Sequence, residues 1–129
     1  FLDHISIVIS GISEGDERRN IDNLMTNLRK LVEEVNCGMF VVSHLKRVDS
    51  KTGHEEGIQT SLSHLRGSHS LAQLSDAVIG FERDQQSETE NNIMTVRVLK
   101  NRFTGDTGVA CDLIWNKDTG RLVEGNFDE

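Results

Sequence analysis

Four polar residues stand at the ends of apolar runs, where side chains can meet a ligand. Asp3 closes the opening stretch Phe1-Leu2-Asp3. In open α/β sheets a carboxylate at the C-terminal end of a central strand is where a metal is held or a water polarised. A capping or turn aspartate is the competing reading. His44 follows Val41-Val42-Ser43 directly. A neutral imidazole at such a tip can sense a phosphate or a metal-bound water, and a satisfied strand-end histidine is the plainer alternative. Lys100 and Arg102 alternate at the end of a strand pattern, before Gly105-Asp106-Thr107-Gly108. Alternate residues share a face, so two cations can reach one anion. Arginine suits spreading phosphoryl charge, whereas a strand-end ion pair from Arg102 to Asp106 needs no ligand.

A local basic cluster joins them. Lys46, Arg47 and Lys51 follow His44, and Arg66-Gly67 lies in Leu65-Arg66-Gly67-Ser68. Loop cations and backbone N–H groups hold phosphates without reading bases. The opposing reading is a solvated loop balanced by Asp49, Glu55 and Glu56.

Composition narrows the field. The 129 residues suffice for one domain and a real core. With 36% apolar and 27% charged residues, the chain is neither a membrane protein nor a disordered one. The net charge of −7 argues against a whole-surface grip on nucleic acid, so any such contact must come from the basic cluster. Cys37 and Cys111 are far apart in apolar segments and read as two buried free thiols. Five histidines invite a zinc reading, but His64 and His69 are poorly spaced and neither CxxC nor HExxH occurs. Phe1-Leu2-Asp3 reads as the interior of a longer chain.

The elements that must position these groups are legible. Residues 1–10 alternate loosely, with Ile5, Ile7 and Ile9 on one parity, and read as a strand or strand exit. Ile21, Leu24, Met25, Leu28, Leu31, Val32 and Val35 recur at helical spacing. That helix should start near Asp16 or Glu17 and stop before Gly38. Met39–Val42 fits a strand buried on both faces. Residues 45–63 form a long polar loop, the kind that is usually functional or disordered. Leu71, Ala72 and Leu74 suggest a short helix. Strands follow at 77–81, 93–101 and 109–115, and Lys117–Gly120 turns the last into Leu122-Val123. The order predicts an α/β domain, a mainly parallel sheet flanked by helices with antiparallel strands at its C-terminal end.

Together these pieces resemble the hexameric replicative helicases. The segments that carry the likeness are Leu2-Asp3-His4, Asp16-Glu17-Arg18, Ile21–Met25 and Ser43-His44-Leu45-Lys46. His54–Gly57, Leu65–Ser68, Gln73–Asp76 and Lys100–Gly108 continue it in order. The chain is similar to the helicase half of phage primase-helicases, with mitochondrial Twinkle and bacterial DnaB as more distant relatives.

The resemblance implies that residues 1–129 form part of a RecA-like P-loop NTPase core, with the Walker A half missing on the N-terminal side. It implies that Asp3 is the Walker B aspartate, which orders Mg²⁺, and that His44 senses the γ-phosphate. It assigns Lys46, Arg47, Lys51, Arg66 and Gly67 to loops that hold single-stranded DNA. It makes Arg102 an arginine finger, with Lys100 beside it, reaching the neighbouring subunit's nucleotide. Arg83 and Trp115 would flank the base of ATP or dTTP. The parent would be an NTP-dependent DNA helicase working as a homo-oligomeric ring, hexameric or heptameric, moving 5′ to 3′. Its setting would be the cytoplasm of an infected host cell, with no membrane partner.

Departures accompany the likeness. No G-x-x-x-x-G-K-[ST] motif is present, and the family's catalytic glutamate would lie upstream of Asp3. Arg47 stands where a neutral polar residue is usual, and His69-Ser70 where phage relatives have small residues. The chain alone is therefore expected to be inactive. Two rivals stay open: a RecA-core ATPase without unwinding activity, and a non-catalytic DNA- or partner-binding module.

Overall fold

The structure is a computed structural model that describes residues 1–11, 16–47, 53–66 and 69–125. The chain divides into two compact units. The first holds residues 1–46 and 63–75, and the second residues 47–62 and 76–129.

In the first unit, the opening residues make a single bridge at Leu2 and then helix α1 (Ile5–Ser10). The strand expected over residues 1–10 is thus confined to its start. Ile5 and Ile9 lie four apart and are both buried, while Ile7 on the same strand parity is exposed. Helical spacing, not alternation, decides which isoleucines reach the core.

Helix α2 (Glu17–Val35) has the expected bounds. Asp16 caps it by accepting a hydrogen bond from the Arg18 N–H at 3.0 Å, satisfying one of the open amides of the first turn. Asn36, in the left-handed region at φ 55°, ends it. Ile21 and Met25 are buried on one stripe, and Arg29 and Glu33 pair at 3.0 Å on the exposed one. Helix α3 (Ser70–Leu74) adds Leu71. The core is Ile5, Ile9, Ile21, Met25 and Leu71, with Leu24, Leu28, Val41, Leu65 and Leu74 packed against it. Burying each large side chain is worth about 1.5–3 kcal/mol.

Met39–Val42 is not doubly buried. Val41 bridges Leu2 in parallel, and Phe40 and Val42 are exposed. Among the described residues this segment has one paired strand neighbour, too few to cover both faces.

The second unit is a four-stranded antiparallel meander, β1 (Ala77–Glu82), β2 (Ile93–Asn101), β3 (Gly108–Asn116) and β4 (Arg121–Glu124), in that order. A mainly parallel sheet was the expectation. Among the described residues parallel pairing occurs only at Leu2–Val41. The connections, residues 83–92, 102–107 and 117–120, all fall short of the dozen or more that a parallel crossover needs. Cys37 is exposed and Cys111 half-buried, both free, so the thiols are not both core residues as expected.

Residues 55–60 are fastened to this sheet. Glu56 bridges Asp84, and the Gln85 N–H donates to the Glu55 carbonyl at 2.8 Å. Thr60 donates through its backbone N–H and its hydroxyl to Glu82 Oε1, at 2.7 and 2.8 Å. Arg97 engages the same carboxylate with both arms, Nε at 2.6 Å and Nη2 at 3.1 Å. Burial pushes the Glu82 carboxyl up. The Arg97 and Thr60 hydrogen bonds outweigh that and hold it below its ordinary 4.5. Gly80 makes room for the arrangement, since a Cβ there would collide with Thr60 Oγ1 and lie 3.0 Å from Thr60 Cβ.

Gly80→Ala is accordingly expected to destabilise the chain by about 1–3 kcal/mol, read by denaturant unfolding. Rotating the threonine does not relieve the clash, because its Cβ is also close. A pH dependence follows as well. The folded pKa of Glu82 is depressed, so its stabilising contribution is full above the unfolded value and is lost as pH falls through the folded one. The stability gap between wild type and Glu82→Gln should be open at neutral pH and narrow as pH falls below the ordinary 4.5 toward the depressed folded value.

Candidate functional site

In the first unit the backbone brings three short stretches together. The Leu2 N–H donates to the Phe40 carbonyl at 2.8 Å, and the Val42 N–H to the Leu2 carbonyl at 2.9 Å. Asp3 and His44 therefore leave the same end of a parallel strand pair, its C-terminal end, as both residues' positions suggested. The Asp3 side chain is exposed and makes no ion pair or hydrogen bond among the described residues. The His4 and His44 rings meet edge to face with centroids 4.2 Å apart.

Leu45 pairs antiparallel with Leu65. The Lys46 N–H donates to the His64 carbonyl at 2.8 Å and the Arg66 N–H to the His44 carbonyl at 3.3 Å. Strand alternation then fixes the faces. Leu65 packs against the core, so Arg66 and its partner His44, with Lys46 on the same parity, share the opposite face, while His64, ending a short 3-10 turn, keeps its Nδ1 buried. His44, Lys46 and Arg66 are exposed there, and Arg66 Nε lies 3.5 Å from Glu17 Oε1 at the start of α2. Arg47 follows, also exposed. Lys51 and Gly67, the other two loop candidates, lie outside the described residues.

In the second unit the remaining candidates separate to the two ends of one sheet. At one end, Arg83 Nε donates to the Asn91 carbonyl at 2.6 Å, and the Trp115 N–H to the Asn92 carbonyl at 2.8 Å. Consecutive residues of one turn thus hold both. The register that pairs Glu82 with Thr95 and Met94 with Leu113 puts Arg83 and Trp115 on the same face. The indole lies beside Gly120, whose Cβ position would be 3.9 Å from Trp115 Cη2.

At the other end, Lys100 pairs with Val78 across the β1–β2 ladder. Beyond the ladder, the Arg102 N–H donates to the Asp76 carbonyl at 2.8 Å, and Arg102 Nη1 lies 3.1 Å from Asp76 Oδ1. The sequence offered Asp106 as the ion-pair partner, and the structure puts Asp76 there instead. The pairing follows from the hairpin, which sets the residue before β1 opposite the residue after β2. Asn101 braces the loop, its Oδ1 accepting from the Phe103 and Thr104 N–H groups at 3.1 and 3.4 Å.

The two ends are seven positions apart along β1, about 23 Å at roughly 3.3 Å per residue. That is longer than a nucleoside triphosphate. Arg83 with Trp115 and Arg102 thus stand at opposite ends of one sheet.

The model for the DnaB-like helicase C-terminal domain matches residues 1–124. The chain belongs to that family. It is 46% identical over 126 residues to the DNA helicase/primase of Enterobacteria phage T3, covering 98% of this chain and 22% of the relative. Its fold is like that of a solved DnaB-like replicative helicase, described together with its interactions with primase, at a TM-score of 0.69 and 24% identity. That match covers 86% of this chain and 27% of the other. The chain thus spans about a quarter of these helicase relatives' length. Within the DnaB-like frame, sequence reading missed two groups: Asp76 beside Arg102, and the Glu82–Arg97–Thr60 cluster. Both depend on strand register, and the signal for Asp76 was available once β1 and β2 were paired as a hairpin.

Proposed function

We propose that this chain is part of a RecA-like NTPase core, residues 1–129, in a replicative DNA helicase that couples NTP hydrolysis to movement on single-stranded DNA and duplex unwinding. The observation that carries the reading is the Leu45–Leu65 strand pair, which turns His44, Lys46 and Arg66 to one exposed face. A phosphate-sensing group and backbone-holding cations then share a rigid support. A change at His44 reaches Lys46 through two residues of paired backbone.

Asp3 is the residue that would hold Mg²⁺. An exposed carboxylate without a partner among the described residues suits an ion that keeps most of its waters and binds through one or two carboxylates plus phosphate. When bound, the ion supplies charge neutralisation at the phosphates. His44 hydrogen-bonds the γ-phosphate and loses that bond after hydrolysis. The grip of Lys46, Arg47, Lys51 and Arg66-Gly67 on the DNA backbone changes in step. Trp115 offers its ring face, and Arg83 its guanidinium, to the base of ATP or dTTP. Arg102, with Lys100 beside it, stabilises phosphoryl charge on the adjacent subunit's nucleotide. The separation of Arg102 from Arg83 and Trp115 supports sites between subunits, and so a homo-oligomeric ring, hexameric or heptameric. The phage relative supports the cytoplasm of an infected cell as the setting.

Two substitutions in the full-length protein test this. Arg102→Ala should cut NTP hydrolysis by ~10³-fold or more while nucleotide binding persists; normal turnover removes the finger role. Lys46→Ala should weaken single-stranded DNA binding for all sequences and shrink the slope of log affinity against log salt by roughly 0.7. An unchanged slope takes Lys46 out of the DNA contact.

A further inference from the structure

We infer that Asp76 is a positioning residue for Arg102, presenting the guanidinium to an anion outside its own subunit. The inference rests on the finger role proposed above and adds the group that aims it. Two bonds join the residues. The Arg102 N–H donates to the Asp76 carbonyl at 2.8 Å, fixing the main chain where β2 ends. Nη1 lies 3.1 Å from Asp76 Oδ1, fixing one corner of the guanidinium. Arg102 makes no further side-chain hydrogen bond among the described residues, so Nε and Nη2 stay available.

The geometry suits holding rather than burying. The Arg102 side chain is 61% exposed and that of Asp76 38%. A pair this open is weak, because water screens it. It narrows the range of a long, flexible side chain without neutralising its whole donor fork. An incoming phosphate finds a charged group already oriented, so less ordering remains to be done in the transition state. The rest of the loop is braced independently, by the Asn101 side chain accepting from Phe103 and Thr104 and by the Gly105 N–H donating to the Asn101 carbonyl at 2.9 Å. Removing the Asp76 carboxylate therefore changes the aim of Arg102 while leaving the backbone bond and the loop in place.

A double-mutant cycle in the full-length protein tests this, with single-stranded-DNA-stimulated NTP hydrolysis as the readout. Asp76→Ala should lower kcat about two- to fivefold, with nucleotide KM and DNA affinity unchanged. Asp76→Asn keeps an acceptor oxygen and should lose less. In the Arg102→Ala background, Asp76→Ala should cause no further loss. An equal loss in that background would mean that Asp76 acts through the fold and would overturn the inference. A rise in kcat would make Asp76 a brake and overturn it too, as would a change confined to KM. Full turnover by Arg102→Ala alone removes the finger role itself, and this inference with it, and is distinguishable because it appears before Asp76 is touched.

Discussion

The exposed face of the first unit depends on where one leucine goes. Leu65 is drawn onto the cluster of Ile5, Ile9, Ile21, Met25 and Leu71, and its backbone is stitched to residues 44–46. Successive side chains on an extended chain point to opposite sides. Once Leu65 faces in, Arg66 must face out, and its antiparallel partner His44 follows, with Lys46 on the same parity. The hydrophobic effect thus chooses the orientation of charged groups that it does not itself touch. A one-residue slip in this short pairing would turn the cations inward, where an unpaired charge is costly. The register is therefore protected from both sides.

The second unit solves a related problem with charge instead of oil. Its sheet has few buried apolar residues, and β4 is exposed along its length. What fastens the 55–60 segment is the Glu82 carboxylate, which accepts from Thr60 twice and from Arg97 twice. A buried carboxylate is destabilising unless its acceptor sites are filled, and here all the donors come from within the unit. The glycine at position 80 is part of this, because any side chain would occupy the threonine's space. The 55–60 segment is thereby held to the same sheet that bears Arg102.

How much of this could be read in advance follows from how local each determinant is. Helix α2 declared itself through its apolar repeat and its Asp16 cap, both contained in one segment. The β3–β4 hairpin was legible for the same reason, since its four-residue turn, 117–120, leaves antiparallel pairing as the natural option. Residues 1–10 misled because isoleucines at 5, 7 and 9 satisfy alternation, while only 5 and 9 satisfy the helix that forms. Met39–Val42 looked doubly buried because its composition is apolar, but burial depends on neighbours that composition does not reveal. At the candidate sites, residue types marked Asp3, His44 and Arg102 as strand-end groups. Their partners were not marked, because Asp76 and His4 are defined by register and not by type.

Two arginine–carboxylate pairs lie on the same sheet, and their difference separates structure from chemistry. Arg97 meets Glu82 with two arms, at side-chain exposures of 18% and 7%. Its planar fork is spent on one carboxylate, and a ligand would have to break a bidentate, largely desolvated pair to claim it. Arg102 meets Asp76 with one arm on an open surface. The same side chain in the second setting keeps donors on its outer edge and yields its partner at little cost. Sequence alone puts Arg97 mid-strand and Arg102 at a strand end, and names the structural partner of neither. Burial and the number of arms engaged decide that one fastens the fold and the other is left able to act on something outside it.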